Sequence, residues 1–262
     1  TSQIDALIAK KQTLLQKLKE KRLAVITQAL TKGLNPDAPM RDSGIAWLGT
    51  VPVDWQTKRL RHCAGLITSG SRGWAQHFAD TGSLFLRITN LTRDSIQLLL
   101  DDLQRVEPPD GAEGDRTYTQ PGDLLISITA DLGSVAVIPD GLEGAYVSQH
   151  LSLVRLDSQD IDSRWIAYSI LSHIGKYQLV GAGYGGTKVQ LSLADIKEIV
   201  FCHAPTREEQ KRVLKFIETE SAESDELISL AESAITRLTE YRSALITAAT
   251  TGKIDVREIG RA

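Results

Sequence analysis

Few residues in this chain have spacings that suit covalent or redox chemistry. Gly181-Ala182-Gly183-Tyr184-Gly185-Gly186 satisfies the G-x-G-x-x-G spacing that lets backbone amides approach a dinucleotide pyrophosphate. That fingerprint works where the glycines open a helix, and here the alternating Lys188-Val189-Gln190-Leu191 follows instead, which argues against a bound dinucleotide. No Asn/Asp-Pro-Pro-aromatic motif for amino-methylation occurs. Pro109-Asp110 together with Glu209-Gln210-Lys211 has the residue types of a nuclease, but Glu209 follows Thr206 by three positions and suits a reciprocal helix cap. His62, His77, His150, His173 and His203 show no ligand spacing. What remains is non-covalent: polar and cationic side chains on Gly-bearing segments. These are Thr68, Ser69, Ser71, Arg72, Trp74 and Gln76 around Gly70 and Gly73, then Arg87, Thr89, Asn90 and Arg93, and last Tyr184, Thr187 and Lys188. Paired hydrogen bonds from Arg match guanine, and those from Asn or Gln match adenine.

Composition limits the setting in which such groups act. The chain has 262 residues, 42% of them apolar, enough for one globular domain with a helical appendage. Only Cys63 and Cys202 are present, without CxxC spacing, so neither a disulfide framework nor a zinc site is expected, and a reducing, cytoplasmic location is. No apolar run is long enough to cross a bilayer and no signal-peptide pattern opens the chain, so no membrane partner is expected. With no initiator Met and helical sequence already under way at Thr1, the expectation is a truncated or processed chain with sequence missing upstream. The net charge of -3 hides an asymmetry. Residues 1–34 carry seven basic and two acidic side chains, whereas residues 35–205 carry 14 basic and 20 acidic. A body of that sign is not held to a polyanion by phosphate neutralisation alone, so nucleic-acid contact must come from a local face. The basic first segment is either a phosphate- or acid-binding helix or a solvated flank.

The elements that would position these side chains are announced by a repeat. Asp5, Leu7, Ile8, Leu18, Glu20, Arg22, Ala24, Ile26, Thr27, Ala29 and Thr31 recur, with no gap, 220 positions later, from Asp225 to Thr251. Both copies lack Gly and Pro, are rich in Leu, Ala, Lys and Glu, and stop at Lys32-Gly33 and Gly252-Lys253. Their apolar residues recur at helical intervals, and Leu7, Leu14, Leu18 and Val25 are expected to meet Leu227, Ile235, Leu238 and Leu245 in an antiparallel coiled coil. Long helices of this kind are marginal alone in water, and connectivity dictates the antiparallel sense. The organisation expected is a first strut at 1–34, a globular insert at 35–205, a second strut at 206–252 and a tail at 253–262.

Within the insert, Asn35–Met40 is a polar linker, and Trp47, Val51 and Trp55 are apolar anchors in the segment that follows. Strand-like runs fall at Leu84–Ile88, Ile96–Leu100, Asp123–Thr129, Ser134–Ile138, Tyr146–Leu156 and Ile199–Phe201. Helices are expected at Ser163–Gln178 and, after Ser192, at Leu193–Lys197. Several strands with few helices imply an α+β fold.

In their order these segments resemble one target-recognition domain, with its flanking conserved helices, of the specificity (S) subunits of type I restriction-modification enzymes. The resemblance is carried by Ile4-Asp5-Ala6-Leu7-Ile8 through Glu20-Lys21-Arg22 to Thr31-Lys32-Gly33-Leu34, by Asp42-Ser43-Gly44-Ile45, and by Trp47-Leu48-Gly49 with Pro52-Val53-Asp54-Trp55. It continues through Gly122-Asp123-Leu124-Leu125-Ile126-Ser127, Ser148-Gln149-His150-Leu151, Gly186-Thr187-Lys188, Leu191-Ser192-Leu193-Ala194-Asp195-Ile196 and Pro205 with Glu209-Gln210. It spans nearly the whole chain; no single motif is diagnostic, and the order and spacing carry it.

The resemblance implies a non-catalytic subunit that reads double-stranded DNA. It also implies modification subunits that bring S-adenosylmethionine, a restriction subunit that brings ATP- and Mg-dependent translocation and cleavage, and no cofactor on this chain. A full family member has two recognition domains, so this chain is either the C-terminal half of a longer subunit or a half-subunit that forms a homodimer through its helices. The loop residues named above are then the candidate DNA contacts. About 27 helical residues span roughly 40 Å, a little over one DNA turn, which suits helices that set the unread spacer. The alternative is a coiled-coil protein-interaction adaptor without DNA specificity.

Overall fold

The computed structural model describes residues 1–109, 111–142, 144–181 and 190–254. Among the described residues there are six α-helices, of which the first, α1 (Ser2–Lys32), and the last, α6 (Arg207–Thr250), are the repeat-bearing segments. Each ends on a glycine in the left-handed region, Gly33 and Gly252, both with φ 71°, the stop that L side chains resist. The chain divides into two compact units, Thr1–Val25 with Ile217–Ala262, and Ile26–Phe216. These borders fall inside the helices rather than at 34/35 and 205/206. The last turns of α1 and first turns of α6 carry fully buried Ile26, Leu30, Val213 and Leu214, and so belong to the globular unit.

In the first unit α1 and α6 are antiparallel and are tied by three ion pairs: Asp5 with Arg242, Lys19 with Glu232 at 3.7 Å, and Arg22 with Asp225 at 3.3 Å. Moving Asp5 forward by the repeat to Asp225, and Arg242 back to Arg22, turns the first of these pairs into the third. The sequence repeat is therefore also an internal two-fold relation between the helices. Lys19–Glu232 maps onto Gln12 and Thr239 and has no ionic image. Asp5–Arg242 and Lys19–Glu232 are exposed, and such pairs contribute about 0–1 kcal/mol each, so their main effect is to fix direction and register.

Most of the partly covered positions in this unit follow alternate steps of three and four. On α1 they are Ile4, Ile8, Lys11, Leu15, Leu18, Arg22 and Val25; on α6, Ser221, Ser224, Ile228, Ala231, Ile235, Leu238, Arg242 and Leu245. Leu18, Val25, Ile235, Leu238 and Leu245 are among these positions, which form a covered seam along each helix. Leu7, Leu14 and Leu227 are not; they are 46%, 44% and 52% exposed. Each stands one residue before a seam position (Ile8, Leu15, Ile228), which turns it about 100° around the helix. A heptad seam between two helices is narrower than the apolar stripe of a helix lying on a globular core, and the expectation had used the wider stripe.

The globular unit is α+β. Its strands are β1 (Met40–Asp42), β2 (Thr50–Pro52), β3 (Gln56–Arg59), β4 (Ala64–Ser69), β5 (Phe78–Ala79), β6 (Ser83–Leu86), β7 (Gln104–Val106), β8 (Leu124–Ser127), β9 (Val135–Val137), β10 (Tyr146–Val147), β11 (Leu151–Leu156) and β12 (Val200–His203). They form an antiparallel sheet ordered β4-β11-β8-β9, a mixed sheet ordered β10-β6-β7-β5, and the two-stranded pairs β1-β2 and β12-β3. The helices between them are α2 (Ala112–Thr117), α3 (Ser163–Leu171), α4 (His173–Lys176) and α5 (Leu193–Lys197).

Local sequence accounts for several boundaries. Asp162 caps α3 by accepting from the Arg164 amide at 3.0 Å, and Ser192 with Asp195 forms a reciprocal capping box on α5. The single helix expected over Ser163–Gln178 is broken at Ser172, whose extended backbone and side chain cap α4 instead. Ile96–Leu100 is a loop, and Tyr146–Leu156 is two strands separated by a turn at 148–150. At Thr206 half of the expected cap forms: its hydroxyl accepts from the Glu209 amide at 3.2 Å, while the Glu209 carboxylate accepts from Trp55 Nε1 at 3.1 Å. Trp55 meets Trp165 edge-on at 5.3 Å, and Trp165 Nε1 donates to the Cys202 carbonyl at 2.8 Å, which ties β12, α3 and the start of α6 into one core.

Two consequences can be measured by urea denaturation. Arg22 and Arg242 are repeat images, but their side chains are 7% and 39% exposed. Arg22→Ala should therefore cost about 1–3 kcal/mol and Arg242→Ala less than about 1 kcal/mol; equal costs would show that burial does not distinguish them. In the globular unit, burial lowers the pKa of His203 below the ordinary 6.5. A folded-state pKa below the unfolded one makes protonation favour the unfolded chain, so stability present above pH 6.5 should fall as pH drops through that value. His203→Gln should flatten that slope.

Candidate nucleic-acid interface

The register of the β4-β11-β8-β9 sheet brings three chain reversals to one end. Ser152 near the start of β11 lies opposite Ser69, the last residue of β4, and opposite Ile126 near the end of β8; Ile126 faces Val135 at the start of β9. Segments 70–77, 128–134 and 148–150 therefore leave the sheet together. Backbone bonds lock them to one another: Gly70 N to Leu151 O at 3.0 Å, Ser71 N to Val147 O at 2.7 Å, and Ile128 N to His150 O at 3.0 Å. Gln190 joins by a bridge to Thr129, and Arg93 joins through its ion pair with Asp131.

Gly70 is what permits this closeness. A Cβ there would lie 2.1 Å from the Ser148 carbonyl oxygen, so any other residue would force segments 70–77 and 148–150 apart.

The expected contact residues separate into surface and scaffold. Arg72, Gln76, Thr89 and Arg93 are exposed, and Ser69 is half-buried at the end of β4. Thr68, Ser71, Trp74 and Asn90 are buried, which corrects the expectation that they face a ligand. Thr68 lies within the sheet and accepts at its carbonyl from Ser152 Oγ at 3.1 Å. The Ser71 hydroxyl is bonded to that of Thr117 at 2.8 Å, and Trp74 packs on Phe85 and Tyr146 with ring centroids at 5.9 and 5.2 Å. Asn90 accepts from the Arg87 amide at 2.8 Å and donates to the Leu99 and Asp102 carbonyls at 2.8 and 3.0 Å. Arg87 is half-buried, with Nη2 2.9 Å from Asp102, so its head group helps to fix the same loop. Tyr184, Thr187 and Lys188, like the G-x-G-x-x-G segment after Gly181, lie outside the described residues.

The reversals also present Thr129, Gln149, His150 and Gln190, which the sequence reading did not select. Gln149 and His150 were hidden because Tyr146–Leu156 reads as one strand; two adjacent polar residues between Val147 and Leu151 were the available sign of a turn. Thr129 Oγ1 and His150 Nδ1 are bonded at 2.9 Å. This end of the sheet thus offers neutral donors and acceptors with two arginines among them, the inventory that base edges and phosphates require. Covalent chemistry is less well provided for. Burial pushes the Cys63 thiol to about 11 and the Cys202 thiol to about 12, so neither is a thiolate at neutral pH. Among the described residues no group of three or more His, Cys, Asp or Glu is placed to hold a metal ion, and no helix is long and apolar enough to cross a membrane.

No protein-family model and no curated protein matches the sequence. Solved structures do. A chain from a structure of the type I R-M system, described for its complex assembly and conformational transition, is 15% identical with a TM-score of 0.63, over 95% of this chain and 57% of that one. The HsdS subunit from Thermoanaerobacter tengcongensis is 16% identical with a TM-score of 0.58, over 97% of this chain and 57% of its own. At these identities the likeness establishes the fold: this chain has the fold of an HsdS subunit and spans 57% of the length of the solved chains it matches.

The division between scaffold and surface predicts opposite outcomes in a denaturation series. Asn90→Ala should cost on the order of 1–3 kcal/mol, because the buried Asn90 side chain bonds three backbone groups of the loop, the Arg87 amide and the Leu99 and Asp102 carbonyls. Gln149→Ala and Arg72→Ala should stay within about 0.5 kcal/mol of the parent.

Proposed function

We propose that this chain is a sequence-specific DNA-recognition subunit of a type I restriction-modification complex and performs no catalysis itself. The observation that carries this reading is the convergence of polar segments 70–77, 128–134 and 148–150 at one end of an antiparallel sheet, on a fold shared with an HsdS subunit. Double-stranded DNA is the substrate of recognition. Modification subunits with S-adenosylmethionine supply methylation, and a restriction subunit with ATP and Mg supplies translocation and cleavage. The complex operates in the cytoplasm. The acidic balance of residues 35–205 fits this division of labour, since an acidic body needs partners to hold it on a polyanion.

The paired helices are a coiled coil that sets the spacer between two half-sites. Their internal two-fold relation supports this, because a palindromic or split DNA site is matched by a two-fold arrangement of readers. The second reader comes either from a second copy of this chain, joined through the helices, or from further sequence of a longer subunit. Outward Leu7, Leu14, Leu227, Leu230 and Tyr241 give the helices an apolar surface for such an association. The same residues favour a second reading, a coiled-coil adaptor that binds proteins without DNA specificity.

Methylation mapping in cells that express the chain with its modification subunits separates these readings. A two-part palindromic motif marks the self-paired form, an asymmetric motif the longer subunit, and no sequence-dependent methylation or protection the adaptor. Inserting four residues in both α1 and α6, at repeat-equivalent positions, should lengthen the unread gap; an unchanged gap would falsify the spacer role.

A further inference from the structure

We infer that Arg93 reads a guanine, and that Asp131, held in a backbone-strained hairpin, is the residue that positions it. This rests on the DNA-reading assignment above and names the chemistry of one point within it. Among the described residues Ala130 is the one non-glycine with positive φ, at 54°, a conformation that costs an L residue energy and persists where its surroundings over-determine it. Asp131 supplies that over-determination. Its amide donates to the Thr129 carbonyl at 2.6 Å, its own carbonyl accepts from the Ser127 hydroxyl, and its Oδ2 accepts from the Ser134 hydroxyl. Ser127 Oγ in turn accepts from the Ser134 amide at 3.0 Å. Backbone and one carboxylate oxygen are thereby fixed, and the other oxygen, Oδ1, accepts from Arg93 Nε.

Arg93 is fixed at its stem as well. The Thr92 hydroxyl accepts from the Asp94 and Ser95 amides at 3.1 and 2.9 Å, a turn that sets the backbone on either side of Arg93. With Nε taken and the side chain 66% exposed, Nη1 and Nη2 are the donors left for a ligand. Two parallel N–H donors at the end of a planar fork match the O6 and N7 acceptors of guanine. A phosphate-binding role fits less well: the adjacent carboxylate cancels the positive charge that attracts phosphate, whereas a base reader gains from having its plane held. An ordinary surface ion pair would not require the Ala130 conformation and the serine pair that hold Asp131. Thr129, His150 and Gln190 lie around the same hairpin and supply neutral neighbours for the flanking bases.

The test is methylation of a plasmid library in which the recognised site is varied one base at a time, in cells that express the full chain with its modification subunits. The parent should favour G·C at one position by roughly 10- to 100-fold. Arg93→Ala and Arg93→Lys should flatten that position and leave the others unchanged. Asp131→Ala should weaken the same preference, and Asp131→Asn, whose Oδ1 still accepts from Nε while its Nδ2 donates to the Ser134 hydroxyl, should keep most of it. Thermal unfolding of each purified variant separates lost folding from lost reading. An unchanged base profile in Arg93→Ala, or an equal loss of methylation on all sites, overturns the inference while leaving the DNA-reading assignment in place. A parent without any sequence preference removes that assignment itself.

Discussion

The pairing of β11 on both of its edges is the constraint from which the candidate interface follows. β11 is bonded to β4 on one side and to β8 on the other, and its residues Leu151 to Val154 are buried. A slip of one residue against either neighbour would turn each of those side chains to the opposite face and displace the segments that adjoin the sheet after Ser69, after Ser127 and before Leu151. Burial of β11 therefore does more than stabilise the unit. It fixes which turns meet, and Gly70 then lets two of them touch without a side chain between.

The helices obey a different rule. Their repeat is expressed as repeated charge pairing, with one interaction and its image on either side of a local two-fold, rather than as a broad apolar core. Polar residues occupy seam positions Lys11, Arg22, Ser221, Ser224 and Arg242, so the pair gains little from burial and much from register. Direction and alignment are specified strongly, while Leu7, Leu14, Leu227, Leu230 and Tyr241 leave apolar surface exposed on the outer faces.

How much of this was legible in the sequence depended on the range of the interactions concerned. The helices, their stops and the α5 start could be read because capping and left-handed glycines are local; Ser192 with Asp195 and Gly33 with Gly252 act within a few residues of themselves. The anchors Val51 and Trp55 and the core of β8 and β9 were visible as apolar runs. Thr68, Ser71, Trp74 and Asn90 were misassigned because their partners, Ser152, Thr117, Tyr146 and Asp102, are distant in sequence, and a polar side chain on a Gly-bearing segment looks the same whether it serves a ligand or a loop. Arg93 is a candidate from its residue type alone, whereas Asp131 beside it is 38 positions away and has no local signal.

Both native cysteines are buried and protonated, and the sequence contains no others. Maleimide reagents should therefore find almost no thiolate on the folded protein. A cysteine introduced at exposed Gln12 or Thr239, the two positions onto which Lys19–Glu232 maps without an ionic image, would be the single accessible thiol, and a nitroxide attached there would report the distance between helix pairs in an assembled complex without removal of either native cysteine.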